Sequence, residues 1–277
     1  MLELFLYEPV LRGFLVLLVA GFTFPITGVY LLRLNLLPLR FMLMHGALLG
    51  GAIALAANIN PFWTTILVNL LLVWFMAQTA RSLKTDMGYV SIFIMVASMG
   101  VAFALISLFN VQAKDTMSLL WGSIFAVDNW QSVVFISISL AILAFHFLFY
   151  RQLKAVFFDT TIAYSSGVNE RLIYNTVVFL TALTVAVAMK LIGALLIDVV
   201  IILPALIATL HARSFKKVVL WASLWGGIFS ISGFFAAYWL KVPTSSAIAI
   251  LATLVFLVIY LLRKVTLKRR LHNIKCL

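Results

Sequence analysis

Charged residues are scarce in this sequence, and acidic residues are the scarcest. Asp, Glu, Lys and Arg make up only 10% of the 277 residues, against about 25% in a typical soluble domain. Acidic residues number 8, whereas 65% of the chain is hydrophobic in type. A water-soluble protein of this composition would expose a strongly apolar surface and aggregate. The scarcity of charge therefore excludes an ordinary soluble domain and indicates a protein whose solvent is lipid.

Several chemical motifs are also missing. Cys276 is the only cysteine, which excludes an intramolecular disulfide. The chain has no G-x-x-x-x-G-K-S/T phosphate loop, so any ATP hydrolysis that it uses must occur on a partner polypeptide. It has no H-E-x-x-H motif and no two carboxylates within one apolar run, which argues against an intramembrane enzyme. We therefore expect neither catalytic residues nor a bound cofactor in this chain.

The sequence is instead rich in long apolar runs. A helix needs about 20 apolar residues to cross the hydrocarbon core of a bilayer. Nine runs approach this length, at residues 11–32, 41–57, 61–80, 88–108, 131–150, 172–189, 191–210, 218–239 and 244–262. The run at 117–127 is too short to span, and the count falls to eight if two neighbours merge or one is re-entrant. The runs are continuously apolar, unlike the alternating segments of a membrane β-barrel, so we predict an all-α polytopic membrane protein with a single transmembrane domain over residues 1–277.

The basic residues, 20 in all, predict the orientation of these spans. A nine-span topology places Arg12, Lys114, Lys190 and Lys241 on one side of the membrane and every other basic residue on the opposite side. The basic side is expected to be cytoplasmic. We therefore predict a multi-pass protein of the cell membrane with a cytoplasmic C-terminus. The same topology explains the net charge of +12 without a nucleic-acid partner.

The longest connection on the predicted cytoplasmic side contains a moderately polar segment, FFDTTIAYSSGVNE, at residues 157–170. Asp159 before two threonines is typical of a helix N-cap, and Gly167 is typical of a helix C-terminus. The pattern predicts a short cytoplasmic helix between two spans. On the pattern alone, this helix is either a solvated connection with ordinary caps or a docking site for a cytoplasmic partner.

The segment resembles the coupling helix of the ABC-3 family of metal-transporting permeases, in which an acidic residue, an alanine and a glycine recur at four-residue spacing. The matching residues here are Asp159, Ala163 and Gly167, followed by Val168. Three further runs are similar to that family, in the family's order: HGALLG from His45, SLLWG from Ser118, and TALTVAVAMKLIGALLIDVVIILPALIA from Thr181.

The resemblance implies the membrane permease of an ATP-driven importer for divalent metal ions, with zinc or manganese as the expected cargo. In that family two permease subunits, as a homodimer or a pair, line the path across the membrane. Cytoplasmic ATPase subunits dock on the coupling helix, and an extracytoplasmic metal-binding protein delivers the cargo. Two alternatives remain open: the same architecture importing an iron chelate or another cofactor, and an ion-coupled secondary transporter.

Two titratable residues in the apolar runs are candidates for the translocation path, because such residues are costly in lipid and usually mark a pathway or a pair. His45 matches the family's histidine, and a neutral imidazole is a good zinc or manganese ligand; the alternative is a helix-packing hydrogen bond. The family usually has an Asp four residues before this histidine, where this chain has Phe41. We hypothesise that Asp198 supplies the missing acidic ligand, the alternatives being a pair with Lys190 or a protonated carboxyl. At 1.5 Å rise per residue, Asp198 is expected in the outer half of the membrane, about 10 Å from His45 along the normal.

Overall fold

The computed structural model describes residues 7–109 and 124–275, and every regular element in these two stretches is helical. In chain order they are α1 (Glu8–Arg33), α2 (Leu37–Ala57), α3 (Pro61–Leu83), α4 (Met87–Leu108), a 3-10 turn (Ile124–Ala126), α5 (Asn129–Leu148), α6 (Tyr150–Phe158), α7 (Thr160–Ser165), α8 (Glu170–Ile192), α9 (Ala194–His211), α10 (Phe215–Leu240) and α11 (Thr244–Lys275). The all-α prediction is confirmed. The run at 118–122 lies outside the described residues.

Eight of the described helices are long and apolar enough to cross a membrane: α1 to α5, α8, α10 and α11. The seventh predicted run, 191–210, forms the shorter apolar helix α9 instead. It is separated from α8 by Gly193, whose φ of 81° breaks the helix. With 18 residues, α9 is about 27 Å long at 1.5 Å per residue. The described residues thus form eight long spans and one shorter apolar helix, α9, within the predicted range of eight or nine.

The helix boundaries follow from local sequence signals. Prolines occupy the first turns of α1, α2 and α3, where a missing N–H removes no intrahelical hydrogen bond. Asn58 and Lys84 adopt left-handed backbone conformations that end α2 and α3. Asp86 caps α4 by accepting a 2.6 Å hydrogen bond from the backbone N–H of Gly88. These signals make the connections short, so consecutive spans lie close together.

The spans pack in two groups. In the α1 group, α1 contacts α5, α9 and α10, and α11 packs on α9 and α10. In the α2 group, α2 packs against α3 and α4, which also contact each other. Helix α8 contacts members of both groups. Because α1 lies at the centre of its group, large side chains such as Leu17, Phe24 and Tyr30 are fully buried.

Glycines allow α1 to approach its neighbours with backbone against backbone. A Cβ atom on Gly28 of α1 would lie 1.9 Å from the carbonyl oxygen of Ile201 in α9. A Cβ atom on Gly226 of α10 would lie 2.1 Å from the carbonyl oxygen of Gly21 in α1. Close approach through small residues is how membrane helices gain packing energy without a hydrophobic driving force. The centre of the α1 group therefore has no room for added side-chain atoms.

Gly28→Ala should destabilise the protein, because the new methyl group meets the rigid backbone of α9. Overpacking of this kind costs about 1–3 kcal/mol, which corresponds to a fall in Tm of several degrees. The measurement is thermal unfolding of the purified protein in detergent. Gly100→Ala in α4 is the matched control, since nothing lies within 4 Å of its added Cβ. Equal losses of Tm in the two variants would contradict the close approach of α1 and α9.

Candidate functional site

The segment at 157–170 folds as predicted into a short capped helix, α7. Asp159 Oδ1 accepts hydrogen bonds from the backbone N–H groups of Thr161 at 2.7 Å and Ile162 at 3.0 Å. Both bonds stabilise the charged form of the exposed Asp159 carboxyl. They therefore lower its pKa below the ordinary value, and the bond from Ile162 contributes most. Asp159 therefore fixes where the helix begins.

The other end of α7 is a glycine-dependent stop. Gly167 has a φ of 77°, in the left-handed region that glycine adopts without strain. The Gly167 N–H donates to the Tyr164 carbonyl and the Val168 N–H donates to the Ala163 carbonyl, each at 3.0 Å. This is the Schellman pattern of helix termination. Gly167 and Val168 therefore turn the chain from α7 into α8.

The residues that shape α7 differ from those that it exposes. Ala163 is fully buried, and Val168 packs against the hydrophobic core. Phe158, Ile162 and Tyr164 are each more than half exposed. A partner that docked on this segment would meet the three exposed side chains, which the family resemblance did not single out. The signal available in the sequence was three large apolar or aromatic residues within a short polar connection.

An aromatic cluster connects this segment to the spans. Phe157, at the end of α6, lies 5.4 Å from the ring of Tyr30 in α1 and 5.3 Å from the ring of Phe215 in α10, measured between centroids. Tyr30 also hydrogen-bonds to Nδ1 of the buried His146 in α5 at 2.8 Å. Displacement of α6 would therefore act directly on α1 and α10, and on α5 through Tyr30.

A cavity of about 510 Å³ opens beside this cluster. Four basic residues from three separate connections line it: Arg33, Arg151, Lys154 and Arg213. The predicted topology assigns all four to the cytoplasmic side, and they do lie at one end of the bundle. That this end faces the cytoplasm stays a prediction.

His45 lies on a partly exposed face of α2. Its Nδ1 is 2.8 Å from the Phe41 carbonyl oxygen, one turn earlier in the same helix. A carbonyl oxygen only accepts hydrogen bonds, so Nδ1 carries the ring proton and donates it. The second nitrogen, Nε2, then has the lone pair that a metal ion or other electrophile needs. This bond lies within α2, so it is not the helix-packing hydrogen bond expected as the alternative to a ligand role, and it leaves Nε2 for a ligand.

Asp198 forms an ion pair with Arg40, which the sequence did not predict. The predicted second span began at residue 41, whereas α2 begins at Leu37 and includes Arg40 in its first turn. Arg40 is buried, and its guanidinium carbon lies 4.1 Å from the centroid of the Phe41 ring. The side chain of Lys190, the partner considered from the sequence, lies outside the described part of the structure.

The ion pair locates Asp198 relative to α2. Its partner Arg40 lies on the N-terminal side of His45 in α2, at the end of the helix where the predicted topology places the cytoplasm. Ile201, one turn after Asp198, contacts Gly28 near the C-terminal end of α1. The ion pair therefore holds Asp198 near the end of α2 that precedes His45. The depth of both residues in the membrane stays a prediction.

A second buried polar residue, Asn69 of α3, was also not identified from the sequence. It is fully buried, and neither its amide nitrogen nor its amide oxygen has a hydrogen-bond partner in the described structure. A Cβ atom on Gly46 would lie 2.3 Å from the Asn69 oxygen, so the amide lies next to the residue after His45. Among the described residues, no group of three or more His, Cys, Asp or Glu side chains comes together.

The sequence profile of the ABC 3 transport family matches residues 6–263, which is most of the chain. The chain belongs to the ABC 3 transport family. The family resemblance seen in the sequence is confirmed, and with it a membrane-transport function. The match favours ATP-driven transport over the ion-coupled alternative.

Several relatives are similar to this chain over most of their length. The zinc uptake membrane protein ZnuB of Haemophilus influenzae is 26% identical over 219 residues, covering 77% of this chain and 82% of that protein. The manganese import permease ScaB of Streptococcus gordonii is 28% identical over 216 residues, covering 77% of each chain. An uncharacterised membrane protein of Cyanophora paradoxa is 29% identical over 257 residues, covering 91% of this chain and 84% of that protein.

Solved structures of ABC transporters share the fold. PsaBC from Streptococcus pneumoniae, in complex with Fab, has a TM-score of 0.79 at 22% identity and covers 94% of this chain and 95% of its own. An inward-facing putative metal-chelate type ABC transporter has a TM-score of 0.75 at 21% identity, covering 93% of this chain and 87% of its own. The chain therefore shares its overall fold with these structures.

Asp159→Ala should loosen α7, because it removes the acceptor for the N–H groups of Thr161 and Ile162. Amide hydrogen exchange across 157–170, measured by mass spectrometry in nanodiscs, should speed up severalfold. Asp159→Asn keeps an acceptor oxygen and should exchange nearly as the parent does. Because the Asp159 pKa is lowered, the charged cap is complete above the ordinary aspartate pKa and is lost only as pH falls through the lowered value. Unchanged exchange in Asp159→Ala would show that the cap does not hold the segment.

Proposed function

We propose that this chain is the permease subunit of an ATP-driven importer for divalent metal ions, with zinc or manganese as cargo. The observation that carries the proposal is the family match over residues 6–263, combined with relatives named for zinc uptake and manganese import. The chain itself catalyses no reaction. ATP is bound and hydrolysed by a cytoplasmic partner.

Two permease copies, or this chain and a paired permease, line the path. An extracytoplasmic metal-binding protein delivers the cargo to its outer end. The long spans pack in two groups that meet through α8, which suits an alternating-access cycle in which one bundle rocks against another. Metal ions are cargo here and not resident cofactors.

His45 and Asp198 are the proposed cargo contacts. A neutral imidazole and a carboxylate are both ligands that zinc and manganese accept. The Nδ1 bond to the Phe41 carbonyl holds the imidazole in the tautomer that exposes the Nε2 lone pair, which is the arrangement that orients metal-binding histidines. Asp198 is partly exposed despite its ion pair, so its carboxylate is open to a second cation.

The ATPase subunits dock on the segment at 157–170, positioned by Asp159, Ala163, Gly167 and Val168. Phe158, Ile162 and Tyr164 supply the apolar contacts, because they are the large side chains that the segment exposes. The neighbouring basic cavity favours an acidic partner surface at its rim. Movement of the docked ATPase passes through α6 and Phe157 to Tyr30 and Phe215.

A second candidate cargo is an iron chelate or another cofactor carried by the same architecture. The ion pair between Arg40 and Asp198 favours it, because it neutralises the carboxylate that a bare cation would seek. A probable iron transport membrane protein of Haemophilus influenzae is 27% identical over 270 residues. Stimulation of the partner ATPase by free manganese or zinc, compared with an iron chelate, separates the two cargoes.

His45→Ala should lower metal uptake by more than about tenfold, since even residues that only support a metal ligand are worth about 10–100-fold. The assay is uptake of radioactive manganese or zinc into vesicles that contain the complete transporter with its ATPase. His272→Ala, in the basic C-terminal tail, removes an imidazole far along the chain and should transport normally. Normal uptake by a fully assembled His45→Ala transporter would remove His45 from the path.

Tyr164→Ala and Ile162→Ala should each weaken ATPase attachment by about tenfold, as truncation of an anchoring side chain does in other interfaces. The measurement is co-purification of the ATPase with the permease across a concentration series. Tyr89→Ala in α4 is the matched control, because Tyr89 is as exposed as Tyr164 but lies outside the segment. If all three variants retained the ATPase equally, docking would have to occur elsewhere.

A further inference from the structure

Arg40 carries a positive charge into the predicted cargo path. It lies in the first turn of α2, its side chain is 8% exposed, and it pairs with Asp198 of α9. A charged side chain within a membrane costs several kcal/mol unless it is compensated, so such residues are seldom incidental. The compensation here comes from the one carboxylate in the apolar run of α9.

The pair is asymmetric in a way that points to function. Asp198 is 36% exposed, whereas Arg40 is 8% exposed. Asp198 Oδ1 is buried and lies next to the guanidinium, so the exposed part of the Asp198 side chain lies elsewhere. A pair that served only to join α2 to α9 would not need an accessible partner. Part of the Asp198 side chain is therefore accessible while Oδ1 pairs with Arg40.

Charge balance sets what this site accepts in its present state. Arg40 and Asp198 together carry no net charge. A divalent cation would be drawn to a free carboxylate, but it would meet the guanidinium beside a paired one. Like charges repel more strongly in a low-dielectric interior than in water. The site as it stands is thus poorly suited to hold a bare metal ion.

We propose that Arg40 competes with the metal cargo for the Asp198 carboxylate. Asp198 then binds metal only when its ion pair with Arg40 is broken. This inference rests on the proposed function, because it requires a divalent cation as cargo. Arg40 sits on the α2 group and Asp198 on the α1 group, so relative movement of the two groups separates them and frees the carboxylate. When the groups close again, the guanidinium returns and displaces the metal. Arg40 in this account is a residue that sets affinity and release.

The test is metal binding and transport by Arg40→Gln in the complete transporter with its ATPase, reconstituted into nanodiscs and vesicles. Binding of manganese without nucleotide should be at least about tenfold tighter than in the parent, which is about 1.4 kcal/mol. Maximal uptake should fall, because release is slowed. Arg81→Gln, which removes an exposed arginine from the last turn of α3, is the matched control and should leave both values unchanged.

Removal of one partner leaves the other charge buried and unpaired, which threatens assembly. Two further variants address this risk. Arg40→Lys keeps the charge but loses the planar fork that holds a carboxylate, and we expect binding a few-fold tighter than in the parent. The double variant Arg40→Gln with Asp198→Asn removes both charges, and it should assemble without gaining metal affinity.

The outcomes separate this inference from the function on which it rests. If the parent transporter neither binds nor takes up manganese or zinc, the proposed function fails, whatever Arg40 does. If the parent transports metal and both Arg40 variants bind it no more tightly, only the inference fails. Loss of metal binding in an assembled Arg40→Gln transporter would also overturn it, since Arg40 would then contact the cargo directly. Tighter binding in the double variant would exclude Asp198 as the ligand for which Arg40 competes.

Discussion

Lipid supplies neither hydrogen bonds nor counter-ions, and the arrangement of this protein depends on that constraint. Backbone polar groups in the bilayer must be satisfied internally, which is why all regular structure in the described ranges is helical. Charges must find partners inside the protein, which brings Arg40 of α2 to Asp198 of α9. Packing must come from close contact, because burial of apolar groups gains little when the solvent is itself apolar. Gly28 and Gly226 supply that contact at the two sides of α1.

The segment at 157–170, proposed to contact the ATPase, is stabilised by different interactions from those of the membrane spans. There the backbone is exposed, and the shape of α7 comes from a carboxylate cap at Asp159 and a left-handed glycine at position 167. Both devices fix the geometry of a helix too short to be stable by itself. The aromatic contact between Phe157 and Tyr30 then joins this rigid element to the membrane bundle. A local structure set by two residues is thereby connected to the centre of the α1 group.

Sequence reasoning succeeded where the physical signal is local and failed where it depends on residues far apart in the chain. Apolar runs predicted the spans, and the Asp159 and Gly167 signals predicted α7 with both of its ends. Arg40 was assigned to a cytoplasmic connection, because an arginine beside an apolar run is typical of one. Its burial depends on a carboxylate in α9 that no local pattern connects to it. The partner of Asp198 was missed for a related reason: sequence reasoning considered Lys190, which is nearby in the chain, whereas Arg40 lies in another helix.

Because the helices divide into two groups, the ion pair between Arg40 and Asp198 also connects one group to the other. Helices α1 and α2 are neighbours in sequence, joined by a connection in which Asn35 adopts a left-handed backbone conformation, yet their main packing partners belong to different groups. The guanidinium and the carboxylate bridge that boundary within the membrane. The ion pair therefore joins two helix groups that are also linked covalently by the connection between α1 and α2. Under the proposal that Arg40 competes with the cargo, separation of Asp198 from Arg40 and relative movement of the two helix groups occur together.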